Sequence, residues 1–158
     1  MYIAAPQHLP TISDLHEYWL GKRGDRLMPR RADICPTEIP NLLPMLFLVD
    51  LEHDPFRVRY RLVGTSAVEM SGRDYTGLYL DEIRFSKPDE LLALYRQASE
   101  QKRPAFRSGI WHLPHGMARA FETAILPLSE DGEHVTQCLA IEDYQEYRKS
   151  PLTQWGAT

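Results

Sequence analysis

The stretch FRVRYRLVGT, Phe56 to Thr65, limits the fold more than any other part of the chain, because apolar and basic residues alternate along it. Phe56, Val58, Tyr60 and Leu62 fall on one side of a period of two, and Arg57, Arg59 and Arg61 on the other. That period belongs to a half-buried strand and not to a helix. A strand needs a neighbour, and MLFLVDLEHD just before it supplies one, with His53-Asp54-Pro55 as the turn of an antiparallel pair. The arginines then leave one sheet face at intervals of about 6–7 Å, which would suit a row of phosphates if that face were open. A formal net charge of -4 argues against such a partner. Pairing with carboxylates is the expected use of these arginines, with Asp33, Glu38, Glu122 and Glu142 as candidates.

The remaining segments fall into a consistent order. Residues 1–12 read as an N-terminal tail, and residues 13–44 as a helix followed by a proline-rich lead-in. In the helix Ser13 is the expected N-cap, Leu15, Tyr18 and Trp19 share a stripe, and Gly21 and Gly24 are stop signals. Four prolines between Asp25 and Pro44 forbid a long helix there. After the hairpin, SAVEMSG suits a short helix closed by Gly72 in a left-handed cap, with Gly77 in a tight turn beside Arg73 and Asp74. KPDELLALYRQASEQKRP is the clearest helix, with Pro88 at its start and Leu91, Leu94, Tyr95 and Ala98 on one stripe. AFRSGIWHL, ARAFETAILPL and VTQCLAIEDY read as three strands joined by turn chemistry in PHGM and SEDGEH. The main domain therefore spans 45–145 and residues 146–158 form a C-terminal tail. The fold class is α+β, a five-stranded antiparallel sheet with a helical crossover and an N-terminal helix.

YWLGKRGDRLMPRRADICPTEIPNLLPMLFLVDL, FRVRYRLVGT and SGRDYTG together resemble the PAS-domain superfamily, and within it a bacterial stand-alone PAS-like family with R-Y-R-L-V-G-T and G-R-D-x-T-G motifs. The resemblance runs from about Leu15 to Tyr144. It implies a sensory or interaction module with a small-molecule cavity between the sheet and the crossover. Relatives of this kind that bind haem place a histidine on the long helix, and DELLALYRQASEQK has none. Flavin photoreceptors of the superfamily carry an N-C-R-F-type cysteine motif in the crossover, and SAVEMSGRDYTG has no cysteine. No tightly held cofactor is expected.

Ligand contacts are expected from Tyr60 and Leu62 of the second strand, facing inward, and from Val68 and Met70 of the short helix. Arg73 and Tyr75 follow in the turn, then Phe85, Leu94 of the long helix, and Trp111 and Phe121 of later strands. Leu15, Tyr18 and Trp19 need a surface to cover, either the outer sheet face or a second copy, and are the expected dimer contact. Other chemistry lacks local support. His112 and His115 have metal-like spacing, but Pro114 between them breaks any common helical face. Cys35 and Cys138 are isolated, which excludes a CxxC site and suits unpaired thiols in a reducing compartment. There is no apolar run of the roughly 18 residues a membrane span needs, and no signal-peptide pattern at the N-terminus. The reading is a cytoplasmic, non-enzymatic regulatory module. It binds a small, partly apolar ligand or a separate output protein and acts through a homodimer, without nucleic acid or membrane as partner. The alternatives are a ligand-free interaction domain and an enzyme with a cryptic site.

Overall fold

The computed structural model describes residues 8–83, 87–112 and 118–144. Helix α1 (Pro10–Arg23) is followed by short 3-10 turns at Arg31–Asp33, Pro36–Glu38 and Leu43–Met45. Strands β1 (Leu46–Glu52) and β2 (Arg57–Val63) come next, then α2 (Thr65–Ser71), a turn at Leu80–Glu82 and α3 (Pro88–Gln101). Strands β3 (Ala105–His112), β4 (Ala118–Leu128) and β5 (Gln137–Tyr144) complete the chain. The five strands form one sheet in the order β2-β1-β5-β4-β3, and every pairing is antiparallel. The last strand lies beside the first, so the crossover must pass over one face of the sheet.

Register separates the two faces, because directly opposed residues point the same way. Phe47, Val49, Tyr60, Ala140, Thr123 and Arg107 fall on an inner face, where α3 places the fully buried Tyr95. Leu48, Leu139, Ile141, Asp143, Glu122 and Phe106 fall on an outer face, which α1 covers. The stripe expected on α3 holds, with Leu91, Leu94, Tyr95 and Ala98 all buried. Gly72 caps α2 at φ 74°, its N–H donating to Val68 O, and Gly77 turns at φ 89° with its N–H on Tyr60 O.

Three expectations need correction. The first helix begins at Pro10 and not at Ser13, since proline suits the first turn, where its missing N–H is no loss. Ser13 N donates to Leu9 O, and Thr11 and Ile12 are already buried, so this part of the expected tail belongs to the fold. Second, the alternation in β2 breaks at a bulge. Val49 opposes Tyr60 while Leu48 opposes Leu62, so Arg61 is passed over and Leu62 turns to the outer face, 56% exposed. Third, Arg57 and Arg61 pair with other carboxylates than those expected, and Arg59 bonds to a backbone carbonyl instead. Arg57 grips Asp81 through Nε at 2.7 Å and Nη2 at 2.8 Å, and its guanidinium lies 3.6 Å from the centre of the Tyr79 ring. Arg61 pairs with Asp50 at 2.9 Å, and Arg59 Nε donates to Gly77 O. Glu122, Asp33 and Glu38 are engaged by His8, Arg26 and Lys22.

The start of α1 is fastened by two of these carboxylates. Glu122 and Asp143 are directly opposed on the outer face, an arrangement that is unfavourable when both are charged. Leu9 N–H and His8 Nδ1 each reach Glu122 at 2.8 Å, and the Thr11 hydroxyl donates to Asp143. The chain entering α1 thus supplies polar partners where the sheet alone would hold two facing acids. Further along, Leu15 and Trp19 are buried and the Trp19 indole donates to Pro127 O at 2.9 Å.

Candidate functional site

Across β3, β4 and β5 one register row carries Arg107, Thr123 and Glu142 side by side on the inner face. Each strand interrupts its own apolar pattern at that row. Thr123 stands between Phe121 and Ile125, and Glu142 between Ala140 and Tyr144, at the same parity. The side chain of Arg107 is only 20% exposed, and Thr123 is 3% exposed. Among the described residues, Arg107 Nε and Nη1 and Thr123 Oγ1 have no hydrogen-bond partner, although Glu90 of α3 lies 3.5 Å from Arg107 Nη1. A buried hydroxyl or guanidinium N–H without a partner costs free energy, so three such atoms in one row are a feature to explain.

Aromatic rings frame the row. Tyr60 meets Tyr75 edge-on with centroids 4.8 Å apart, and Phe47 lies 5.9 Å from Tyr60. Tyr60 and Tyr95 share a hydrogen bond, as do Tyr144 and Glu142. Phe121 sits 6.5 Å from Tyr144, with the Arg107 guanidinium 5.3 Å from its ring centre. Gly109, opposite Phe121 in register, leaves that ring its room, since a Cβ there would stand 3.1 Å from Phe121 Cζ.

Burial dominates the electrostatics of this face. It holds the Glu142 carboxyl above the usual carboxylate range, opposed by the Tyr144 hydrogen bond and the charge of Arg107. The same cause pushes the Tyr60, Tyr75, Tyr95 and Tyr144 phenols up, so all four remain protonated donors at neutral pH. The Cys138 thiol, fully buried on this face, is likewise raised and is no nucleophile. The row can offer N–H and O–H donors to an acceptor, with a carboxyl nearby that holds its proton to higher pH than a surface acid does. Among the described residues no group of three His, Cys, Asp or Glu is arranged to hold a metal ion.

The residues expected from sequence distribute unevenly. Tyr60 and Tyr75 are buried together, Leu94 is buried on α3, and Phe121 lies on the inner face. Val68 and Met70 are half-buried on α2. Leu62 faces outward because of the bulge, and Arg73 is exposed in the turn after α2, where Asp74 rather than Arg73 ties the backbone by accepting from Thr76. Phe85 and the side chain of Trp111 lie outside the described residues, as does His115. Of the two surfaces expected for Leu15 and Trp19, the outer face of their own sheet is the one that buries them, so they offer no surface to a second copy, while Tyr18 anchors the lead-in by accepting from Cys35 N–H at 2.8 Å and donating to Glu38. Arg107, Thr123 and Glu142 were not expected as a site. Polar residues at the apolar parity of three strands were the available signal.

A family model described as "PAS domain" matches residues 7–141. No curated protein sequence matches the chain. Among solved structures it is similar to a light-oxygen-voltage domain studied with a flavin analogue, at 11% identity and a TM-score of 0.51, covering 76% of this chain and 92% of that one. It is also similar to the PAS domain of Bordetella pertussis BvgS, at 15% identity and a TM-score of 0.46, covering 77% and 94%. The light state of the blue-light photoreceptor Aureochrome1 LOV matches at 8% identity and 0.46, covering 76% and 97%. The first of these likenesses shows the shared fold.

Proposed function

This chain belongs to the PAS domain family, and on that footing we propose that it is a non-catalytic sensory module that binds a small, partly apolar ligand between the inner sheet face and the crossover. The observation that carries the reading is the row Arg107, Thr123 and Glu142, where buried polar atoms lack partners among the described residues. A protein interior tolerates such atoms when something other than stability retains them, and a ligand acceptor is the simplest occupant. Arg107 and Thr123 anchor its polar end, while Tyr60, Tyr75, Leu94 and Phe121 contact its apolar body, with Val68 and Met70 at the α2 side. Leu62 and Arg73 are left out of the set because their side chains are exposed.

The signal passes to a separate output chain, with 45–145 as the sensory unit and α1 as the element that reads its outer face. A homodimer remains part of this reading, through surfaces other than Leu15 and Trp19. Two unpaired cysteines favour a reducing, cytoplasmic setting. The test is native mass spectrometry with a thermal-shift screen of metabolite classes on the wild type and on Arg107→Met. A ligand at 100 times its dissociation constant adds about 2.7 kcal/mol, raising Tm by roughly 5–10 °C for a chain of this size. Stabilisation by one chemical class, lost in Arg107→Met, is the expected result. A broad library that stabilises neither protein, with no bound mass, would overturn the reading in favour of a closed interaction domain.

A further inference from the structure

The bulge that turns Leu62 outward also helps to shape a cavity on the opposite side of the sheet from the row above. Its walls are Leu48 and Leu62 from the sheet, Leu43 from the turn before β1, and Ile34 and Ile39 from the proline-rich lead-in. Its volume is about 140 Å³. That is close to the roughly 150 Å³ of an apolar cavity known to stay dry and to accept benzene. Gly64 keeps the wall thin, because its N–H bonds to Leu46 O at 2.8 Å and a Cβ there would stand 2.3 Å from Pro44 O. One charged side chain joins this apolar lining, Arg31. Arg31 is half-buried and, among the described residues, forms no salt bridge; Nη1 donates to Ile34 O at 3.2 Å. Its carboxylate neighbour Glu130 accepts from the Arg31 backbone N–H, leaving the guanidinium edge uncompensated.

We infer that this cavity is a binding site for a small monocarboxylate whose tail is about the size of a benzene ring, such as a short-chain fatty acid or an aryl acetate. The tail displaces no hydrogen-bonded groups from the apolar walls, and the carboxylate meets the fork of Arg31, which matches its geometry in two parallel bonds. The commitment to an acid rests on charge complementarity, since no carboxylate lines the cavity to oppose it. The site is separate from the inner-face row, so it stands or falls independently of the function proposed above.

The experiment is a methyl-detected NMR titration of the whole chain with hexanoate, phenylacetate and the neutral hexanamide. Ligands of this size bind with dissociation constants on the order of 1 mM. Saturable shifts of the Leu43, Leu48 and Leu62 methyls with hexanoate are expected, with binding about tenfold weaker for hexanamide and for hexanoate with Arg31→Met. Leu62→Trp, at an exposed position, fills the mouth and abolishes the shifts in a protein whose remaining spectrum is unchanged. The hexanamide comparison needs no variant and holds even if Arg31→Met folds poorly. Absence of saturable shifts at about 10 mM, ten times the expected constant, would overturn the inference. Equal affinity for acid and amide, or shifts that persist in Leu62→Trp and vanish in Arg107→Met, would do the same, the last by assigning the acid to the inner face.

Discussion

Replacing Thr123 by valine separates stability from function at the inner-face row. Valine keeps the β-branched shape that suits β4 and exchanges only the hydroxyl for a methyl. Thr123 is 3% exposed and its Oγ1 has no hydrogen-bond partner among the described residues. A hydroxyl buried in that way costs about 1–3 kcal/mol in proteins, and the new methyl adds about 0.8 kcal/mol of apolar burial. Thr123→Val should therefore stabilise the ligand-free protein by about 2–4 kcal/mol, unlike most core substitutions, which destabilise. At 158 residues each kcal/mol moves Tm by about 2–4 °C, so calorimetry should show a rise of several degrees and urea unfolding a higher midpoint at constant slope. The same variant should lose the stabilisation that a ligand of the inner site confers. A fall in Tm of the free protein would refute the reasoning, because it would mean that the hydroxyl is satisfied and the row is structural.

Three other outcomes follow from the packing. Gly64→Ala should destabilise by about 1–3 kcal/mol in urea unfolding, since the clash would be with the backbone of Pro44 and Leu46, which cannot rotate away. Trp19→Phe removes the indole donor from Pro127 O, and leaving that buried carbonyl unsatisfied should cost about 1–3 kcal/mol, read as lower stability together with faster hydrogen exchange along α1. Glu142 carries a raised folded-state pKa, so between its unfolded and folded values the native state binds more protons than the unfolded one and stability falls as pH rises. Urea midpoints measured from pH 4 upward should show that decline in the wild type, set against the opposite trend from carboxylates whose pKa values are lowered, such as Asp33 and Asp81, and Glu142→Gln should remove only the decline.

Much of the fold was legible because the signals were local. Period two in β2, the apolar stripe of α3 and the turn SEDGEH between β4 and β5 each specify an element from neighbours in sequence, and these appear where expected, while the expected turn PHGM lies outside the described residues. The exceptions arise where tertiary contacts outweigh local preference. Arg61 and Leu62 continue the alternation in sequence, yet the pairing of β2 with β1 shifts register opposite Leu48 and Val49, and that bulge sends Leu62 to the other face. Leu15 and Trp19 have the spacing of an interface, and nothing in fourteen residues of helix distinguishes a partner's surface from the outer face of the same sheet.

The inner-face row was hidden for a different reason. Arg107, Thr123 and Glu142 lie on three strands and become neighbours only through the register of β3 with β4 and of β4 with β5. A shift of one residue in either pairing would send one of them to the other face, so the juxtaposition carries no trace within any single segment. Parity does carry one. In a sheet covered on both faces, inner-face positions are expected to be apolar, and a polar residue at that parity in three successive strands is improbable unless the three meet. Reading parity strand by strand before assigning ion-pair partners would have moved Glu142 from the arginines of β2 to Arg107. It would also have placed the acid beneath the tyrosines, where burial sets its proton affinity, and not on the surface, where solvent would.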